Sequence, residues 1–284
     1  RDTPLTHSTT RVDENRDRTG QAVRLPEQAS PKAIRRTDVM LLECVKVSKR
    51  FGGVQALRKV DIAAKEGEIT GLVGPNGSGK TTLLSCINGI HKIDDGKIVF
   101  EGEEISNLPV HRISSKGIVK TSQIVQSFPD LTAVDNVRVG VLFGRSKERD
   151  GADAQKRARE LLGFVGLSPE KLDRPVKNCN LAELRRVQLA RALATEPKLL
   201  LLDELLTGLN PTECEKAISL IKEVRGLGIT ILMVEHVMRI IMGLCDTVSV
   251  LHHGEMIAEG TPEEIMNDES VIKIYLGKKY LLRE

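Results

Sequence analysis

The sequence predicts an α/β fold in which a mostly parallel sheet carries helices on both faces. One observation is a glycine-rich phosphate-binding pattern at 74–82, which follows a short apolar run at 69–73 and opens a helical segment. The other is that apolar strand patterns at 199–204 and 229–234 alternate with helical patterns. Parallel strands need crossover connections, which are usually helices, so this alternation indicates a parallel sheet.

Residues 1–39 are predicted to be a disordered tail, because they are rich in Thr, Arg, Asp and Pro and have no sustained period. A second, short tail is predicted at 278–284. Met40 stands just before the first patterned segment, and the chain begins with Arg1. These two facts suggest the hypothesis that the native start is Met40.

A small β-layer is predicted in front of the phosphate-binding pattern. Alternation at 41–48 suits a half-exposed strand, and residues 51–53 are typical of a turn. Residues 54–65 are interpreted as a further strand pair, and residues 97–100 as another strand.

The phosphate-binding pattern has the form G-x-x-x-x-G-K-[ST] with one additional threonine. Its glycines let backbone N–H groups converge on one point, and the following helix adds its positive N-terminal end. Lys80 can then reach β- and γ-phosphate oxygens, while the Thr81 hydroxyl can hold Mg²⁺. The candidate nucleotide-binding residues are Gly74, Pro75, Asn76, Gly77, Ser78, Gly79, Lys80, Thr81 and Thr82. The alternative, a glycine-rich turn that happens to contain Lys, is disfavoured by the length and context of the pattern.

Behind this pattern the chain becomes helical between about 105 and 180, most clearly at 152–164. Two later helical patterns, at 183–194 and 214–225, alternate with the two apolar strands already described. This order is the one expected for helices that cross over between parallel strands.

Two acids, Asp203 and Glu204, end the apolar strand at 199–204. Ligands of open α/β sheets gather at the carboxyl ends of the strands, so Asp203 is expected beside Mg²⁺, assisting it through water. Glu204 could polarise an attacking water as general base. The alternative is a strand capped by solvated acids, and the acids alone do not decide between the two. Their pairing with the phosphate-binding pattern favours the functional interpretation.

Residues 41–276 resemble an ATPase subunit of an ABC transporter, because further motifs follow in the order of that family. These motifs are a Q-loop glutamine at Gln123, a signature region at 178–186, a D-loop at 208–211 and a switch histidine at His236. Segments resembling the ATP-binding proteins of branched-chain amino acid importers stand at 127–132, 208–213, 234–238 and 275–277.

The resemblance implies a P-loop NTPase of the ABC nucleotide-binding type, with a RecA-like, mostly parallel sheet core. It also implies an N-terminal antiparallel β-subdomain and a helical subdomain at about 124–182, within an ATPase domain at 40–277. Two such subunits would pair head to tail with two ATP molecules between them. The phosphate loop of one chain and the signature helix of the other would hold each ATP.

The resemblance also assigns roles to single residues. His236 would contact the γ-phosphate, and Gln123 would act with the metal and sense the membrane subunit. Phe51 would stack on adenine, although a turn aromatic packed on the core is the competing interpretation. The residues expected to reach the ATP of the partner chain are Asn180, Ala182 and Glu183.

The signature departs from the usual Leu-Ser-Gly-Gly-Gln, since Leu181 and Ala182 replace the two glycines. Their side chains stand where backbone should approach phosphate, which could weaken the composite site. Asn180 followed by Glu183 forms a capping-box pattern, so the helix end is still specified. The Asn180 amide could also donate in place of the serine hydroxyl.

Other features limit the function. The formal charge of +3 falls to about +1 without residues 1–38, so nucleic acid is not indicated as a partner. The five cysteines form no C-x-x-C pair, and no apolar run approaches the ~20 residues that span a bilayer. His252 and His253 are expected on opposite faces of a strand, which argues against a shared metal ion.

The resulting prediction is an ATPase, with ATP and Mg²⁺ as cofactors, bound peripherally at the cytoplasmic side of the cell membrane. Its partners would be permease subunits, a second ATPase subunit and, indirectly, a substrate-binding protein for branched-chain or related amino acids. Two alternatives remain: a weakly hydrolysing or non-hydrolysing partner in a heterodimer, and the ATPase of a lipopolysaccharide-export system.

Overall fold

The computed structural model describes residues 39–122, 127–145, 151–235 and 237–276. The tails predicted at 1–39 and 278–284 lie outside these residues, apart from Val39. Gln123 and His236 lie outside them as well.

The described residues form strands and helices in the alternating order that the sequence predicts. The strands are β1 (Met40–Phe51), β2 (Val54–Lys65), β3 (Ile69–Val73), β4 (Asp95–Phe100), β5 (Glu103–Glu104), β6 (Ile118–Lys120), β7 (Leu199–Asp203), β8 (Thr230–Val234), β9 (Thr247–His252) and β10 (Glu255–Gly260). The helices are α1 (Lys80–Ile87), α2 (Val110–Lys116), α3 (Ala133–Phe143), α4 (Gly151–Phe164), α5 (Leu181–Ala194), α6 (Pro211–Gly226), α7 (Met238–Leu244), α8 (Pro262–Asn267) and α9 (Glu269–Leu276).

An antiparallel sheet with the order β2-β1-β4-β5 forms the predicted β-layer. The expectation of a strand pair at 54–65 is wrong, since β2 is one strand of 12 residues that pairs with β1 along its length. Lys46 and Lys59 have positive φ where the register between these strands shifts. The two bulges bend the strands without ending them, and they interrupt the alternation on which the prediction relied.

The second sheet has the order β10-β9-β3-β8-β7-β6 and is parallel except for the β9–β10 pair. All five residues of β3, β7 and β8 are buried, as expected for central parallel strands. The predicted mostly parallel α/β core is therefore confirmed. The carboxyl ends of these three strands meet at one edge, where β3 runs into Gly74 and β7 into Glu204.

Two hydrophobic clusters cover the two faces of this sheet. Leu200 and Leu202 face the cluster that contains α3, α4 and α5, while Leu199 and Leu201 face the cluster of the antiparallel sheet and α1. One face is thus covered by helices and the other by α1 together with the β-layer. The helix predicted at 152–164 is confirmed as α4, but the expectation of helical structure from about 105 to 180 is wrong at β6, an edge strand that pairs with β7. Among the described residues no helix is long and apolar enough to span a membrane.

Candidate active site

The loop between β3 and α1 passes close to the backbone of two other strands, and this fixes where glycine is required. Gly74 has φ 150°, and a Cβ atom there would lie 2.0 Å from the Leu251 carbonyl oxygen. Gly79 has φ 110°, and its Cβ would lie 2.6 Å from the Ala56 carbonyl oxygen. The loop therefore needs glycine at these positions both for conformation and for space. A Cβ at Gly77 would meet open space, so space does not require glycine there. The only requirement for glycine at this position is its left-handed φ of 78°.

Helix α1 begins with no side chain capping its N-terminus, because its N-cap is Gly79 in a left-handed conformation. Its first turn contains no acidic residue. The first backbone N–H groups of a helix have no partner within the helix, and the helix dipole favours negative charge there. This end of α1 is consequently suited to bind an anion.

The Lys80 side chain folds back over the loop and is buried. Its ammonium donates to the carbonyl oxygens of Gly74 and Pro75 at 2.8 and 2.9 Å. Burial lowers the pKa of Lys80, and the nearby carboxylates of Glu204 and Asp203 oppose that shift. The ammonium thus lies at the loop and can exchange its carbonyl acceptors for phosphate oxygens.

The two predicted metal-binding side chains that the structure describes are brought together. Asp203 is 1% exposed, and its Oδ1 accepts a hydrogen bond of 3.3 Å from the Thr81 hydroxyl. Its Oδ2 lies 3.0 Å from the Lys120 ammonium, without hydrogen-bond geometry. A hydroxyl beside a carboxylate with spare acceptor capacity fits Mg²⁺, which prefers oxygen ligands.

Glu204 lies just beyond β7, in a left-handed conformation with φ 52°. Its backbone N–H donates to the Val234 carbonyl at 3.0 Å, and the residue is 9% exposed. The chain therefore turns at the strand end, and Glu204 lines the same cleft as Lys80. The alternative of solvated acids at this strand end is wrong, because both Asp203 and Glu204 are buried.

The cleft above the phosphate loop has a volume of about 920 Å³. It combines predicted residues with seven that the sequence analysis did not assign to the site, namely Gly53, Val54, Gln55, Ala56, Arg58, Thr207 and His253. The lining residues are Gly53, Val54, Gln55, Ala56, Arg58, Asn76, Gly77, Gly79, Lys80, Thr81, Thr82, Glu204, Thr207 and His253. Pro75 and Ser78 belong to the same loop, where Pro75 accepts from Lys80 and the buried Ser78 lies beside Gly74.

His253 enters this lining because it leaves the strand. The two histidine rings were expected on opposite faces, but their centroids lie 4.1 Å apart in an edge-on contact. The cause is the positive φ of 48° at His253, which follows the end of β9. Only a continuing strand sends neighbouring side chains to opposite faces. Among the described residues no group of three or more metal-ligating side chains forms here or elsewhere.

Phe51 ends β1, and its ring packs edge-on against His91 with centroids 5.0 Å apart. The Lys49 ammonium lies 5.3 Å from the centre of the same ring. These contacts favour the interpretation of Phe51 as a turn aromatic, although 43% of the residue remains exposed. Its contact with adenine stays a prediction.

The signature region forms the N-terminus of α5 and has the predicted capping box. The Glu183 N–H donates to the Asn180 side chain at 2.9 Å, and the Asn180 N–H donates to the Glu183 carboxylate at 3.0 Å. Lys171 forms an ion pair with Glu183. Ala182 lines a separate cavity of about 370 Å³, and Leu181 lies against Gly208 of the D-loop. Within one chain, Ala182 therefore lies away from the cleft of the phosphate loop.

A buried polar group that the sequence analysis did not find connects α5 to the Q-loop. Arg185 and Gln188 both donate to the carbonyl oxygen of Ser122, at 3.3 and 2.8 Å. Burial lowers the pKa of Arg185, and the carboxylates of Glu235 and Glu204 oppose the shift. Two polar residues three apart on an otherwise buried helix face are the signal that could have revealed this group.

The C-terminal helix also reaches the phosphate loop. Burial raises the pKa of Tyr275 in α9, and a hydrogen bond from the Gly74 backbone opposes that rise. The sequence analysis used this segment only as a family resemblance, because nothing in the local pattern shows which loop α9 contacts.

The fold and this cleft define a phosphate-loop ATPase, in which a glycine loop, a lysine and a pair of strand-end acids meet at one edge of a parallel sheet. The sequence model of the ABC transporter family matches residues 57–207, and that of the branched-chain amino acid ATP-binding cassette transporter matches residues 255–280. The chain belongs to the ABC transporter family and is one of its nucleotide-binding, ATP-hydrolysing subunits.

Individual relatives agree with this assignment. The chain is 36% identical to the high-affinity branched-chain amino acid transport ATP-binding protein BraF of Pseudomonas aeruginosa, over 84% of this chain and 98% of that protein. It is 37% identical to LivG of Escherichia coli, named for the same transport, over 81% of this chain and 94% of that protein. It is 35% identical to the lipopolysaccharide export system ATP-binding protein LptB of Haemophilus influenzae, over 85% of this chain and 99% of that protein.

Solved structures give the same result. A nucleotide-free ATP-binding cassette from an ABC transporter matches with a TM-score of 0.76 at 29% identity, covering 84% of this chain and all of that one. The dimeric bacterial ABC transporter cassette MJ0796 matches with a TM-score of 0.72 at 27% identity, covering 78% of this chain and 98% of that one. The predicted fold class is therefore confirmed by structural similarity as well as by the sheet order.

Proposed function

We propose that this chain is the ATP-hydrolysing subunit of an importer that moves branched-chain or related amino acids through a membrane permease. The observation that carries hydrolysis is the convergence of Lys80, Thr81, Asp203 and Glu204 beneath the uncapped end of α1. The substrate class rests on the relatives, since BraF and LivG are named for branched-chain amino acid transport.

In this proposal the loop amides and the N-terminus of α1 hold the phosphates, and Lys80 turns from its two carbonyls to phosphate oxygens. Thr81 and Asp203 hold Mg²⁺, with Gln123 as a further ligand. Bound Mg²⁺ would neutralise negative charge on the β- and γ-phosphates.

Glu204 acts as the general base and accepts a proton from the attacking water. Its position in the wall of the cleft that also contains Lys80 and Thr81 supports this role, because a general base must lie within reach of the water from which it takes a proton. His236 contacts the γ-phosphate as the second catalytic side chain.

A second ATPase subunit completes the site. Ala182 lines a cavity separate from the phosphate cleft, which supports the proposal that the signature helix reaches a nucleotide held by a second chain. Asn180, Ala182 and Glu183 of one subunit would then face the ATP held by the other. Binding of ATP favours the closed pair, and hydrolysis reopens it, which moves the permease.

Exposed apolar side chains flank both ends of α3 and support a contact with the permease. These are Phe128 and Leu131 before the helix, and Leu142 and Phe143 at its end, where Phe143 is 84% exposed. A phenylalanine as exposed as Phe143 is a candidate for such a contact. The subunit would bind peripherally at the cytoplasmic side of the membrane and serve a substrate-binding protein indirectly.

The variant Glu204→Gln tests the hydrolytic part of the proposal. It preserves the shape of the side chain and removes its basicity, so ATP turnover should fall by at least about 100-fold while the ATP-bound dimer accumulates. Size-exclusion chromatography with Mg-ATP, run beside a steady-state ATPase assay, measures both effects. Turnover at the parental rate would exclude Glu204 as the base.

One observation favours the alternative of a weakly hydrolysing partner in a heterodimer. The capping box at α5 already pairs two of the backbone N–H groups at this helix end, those of Asn180 and Glu183, so fewer of them are available to a phosphate than at α1. Steady-state ATPase of the assembled complex, with the glutamate of each subunit changed in turn, separates the two functions. Loss of turnover only when the other subunit is changed would support the alternative.

The similarity to LptB keeps the lipopolysaccharide-export function as the competing transport activity. Purifying the chain with its permease and reconstituting the complex in vesicles decides between them. ATP-driven leucine uptake supports the importer, whereas ATP-driven release of lipopolysaccharide without leucine uptake would replace it.

A further inference from the structure

Lys120 lies outside the predicted site, but its side chain contacts the predicted metal-binding carboxylate directly. It is the last residue of the edge strand β6, and its ammonium lies 3.0 Å from Asp203 Oδ2. The same ammonium donates to the Ser85 hydroxyl of α1 at 3.2 Å. The side chains are nearly buried, with 9% of Lys120 and 1% of Asp203 exposed.

The two oxygens of Asp203 therefore have different surroundings. Oδ1 accepts from Thr81, the predicted metal-binding hydroxyl, and Oδ2 is paired with Lys120. A buried carboxylate needs an opposite charge nearby, since removal from water is costly for an unpaired ion. The other lysine of the cleft, Lys80, is bound to the carbonyls of the phosphate loop. Lys120 is thus the cation in contact with Asp203.

We propose that Lys120 is a positioning residue for the metal-binding carboxylate. By holding Oδ2 on the side of β6, it keeps Oδ1 turned towards Thr81 and hence towards the metal. This inference rests on the proposed function and deepens it, because it assigns the orientation of Asp203 to a residue outside the phosphate-binding and strand-end motifs.

The connections of Lys120 make this role more than charge neutralisation. The backbone of Lys120 pairs with Leu201 of β7, and its ammonium donates to the Ser85 hydroxyl of α1 as well as approaching Asp203. The side chain is therefore held between β7 and α1, so its ammonium has a defined position beside Oδ2.

The test separates metal binding from nucleotide binding. The affinity for a fluorescent ATP analogue is measured once with excess Mg²⁺ and once with EDTA. The affinity with Mg²⁺ divided by the affinity with EDTA gives the contribution of the metal to binding, and this quotient is the ratio used below. We expect Lys120→Met to lower this ratio by about tenfold while leaving the affinity in EDTA unchanged. Lys120→Arg, which keeps the charge, should restore most of the ratio. The matched control is Lys116→Met, which removes a lysine paired with Glu103 at the surface and should change neither affinity.

A double-mutant cycle tests whether Lys120 acts through Asp203. In an Asp203→Asn background, Lys120→Met should have no further effect on the ratio. An additional loss in that background, or an unchanged ratio in the single variant, would overturn the proposal. A higher ratio would also overturn it, because Lys120 would then compete with the metal for the carboxylate.

Two controls separate a loss of metal binding from unfolding of the variant and from failure of the proposed ATPase function. Thermal unfolding of each variant without ligand shows whether loss of the buried pair alone destabilises the fold. If Lys120→Met does not fold, Ser85→Ala serves instead; it should lower the ratio about twofold, and an unchanged ratio would contradict the proposal. Failure of the parental protein to bind the analogue at all would count against the proposed ATPase, whereas normal parental binding with an unaffected variant would reject only the role of Lys120.

Discussion

Two helix N-termini in this chain belong to motifs that are predicted to contact nucleotide, and they are built in opposite ways. Helix α1 follows the phosphate loop with Gly79 as its N-cap and no capping side chain. Helix α5 begins in the signature with a complete capping box between Asn180 and Glu183. The comparison shows that no side chain caps the first, open end, whereas at the second, closed end side chains pair two of the backbone N–H groups, those of Asn180 and Glu183.

Charge strengthens this difference. The first turn of α1 contains no acid, and Lys80 lies at its start. The first turn of α5 contains Glu183, which adds negative charge at that helix end, and the ion pair with Lys171 offsets part of it. Binding free energy is therefore expected to come mainly from the phosphate loop, with the signature contributing less to closure of the dimer.

The largest expected effect concerns the backbone of the open end. Gly74→Ala should lower the free energy of unfolding by about 4 kcal/mol, because its Cβ would overlap the Leu251 carbonyl and its φ would be strained. Gly77→Ala is the control, and it should cost only about 1 kcal/mol for its left-handed φ, since its Cβ meets open space. Urea denaturation measures both values. Equal costs would mean that the loop is not held against β9.

The next effect concerns the charge at the open end. Lys80→Ala should weaken Mg-ATP binding by about 100-fold, because the loop then loses the ammonium that pairs with the phosphates. The control is Lys171→Ala, which removes the lysine paired with Glu183 at α5. That change should leave the affinity of a single chain unchanged, as measured by isothermal titration calorimetry. Comparable losses in the two variants would show that the two helix ends contribute equally.

A smaller effect is expected when the closed end is opened. Asn180→Ala removes the N-cap of α5 and should lower the free energy of unfolding by about 1 kcal/mol. Glu183→Gln keeps the capping box but removes the negative charge, so ATP-dependent dimerisation should tighten by about threefold with little change in stability. Analytical ultracentrifugation at several ATP concentrations gives the dimer affinity. Weaker dimerisation in Glu183→Gln would show that the carboxylate itself contributes to closure.

The phosphate loop and the N-terminus of α1 could be predicted from the sequence more completely than the side chains that surround them. Strands β3 and β7 and the loop at 74–82 leave a local signal, because continuous buried runs and glycine spacing are properties of neighbouring residues. The capping box at Asn180 is local in the same way. The ion pair of Lys120 with Asp203 is not, since β6 lies beside β7 only through the sheet order. No local pattern reports such a neighbour.

The same reason explains the errors in the predictions. Strand β6, in a region expected to be helical, has only three residues and pairs with the distant strand β7. The alternation of residues 54–65 is interrupted by bulges whose position depends on pairing with β1. His253 was assigned to the opposite face because its left-handed conformation, just beyond β9, leaves no mark in the sequence. Local chemistry therefore predicted the phosphate-binding end, while contacts between distant segments completed the site.

The smallest expected effect uses two thiols as reporters of the two helix ends. Burial raises the pKa of Cys86, on α1, to about 11, so only about one molecule in a thousand carries this thiolate at pH 8. Cys179, just before α5, is less buried, and burial raises its pKa as well. Because thiolate fraction and access set the rate, iodoacetamide at pH 8 should modify Cys179 several times faster than Cys86.

Mg-ATP should then slow the modification of Cys179 by a few fold, because closure of the dimer covers the N-terminus of α5, and leave Cys86 unchanged. Mass spectrometry of the two peptides over time measures both rates, and Cys245, whose pKa burial raises to about 12, is the internal control for global opening. If Mg-ATP slowed Cys86 and left Cys179 unaffected, the signature end would not be the one that closes over the nucleotide. Equal slowing of all three thiols would indicate a general stabilisation of the fold by ligand, because each thiol would then react only through global opening.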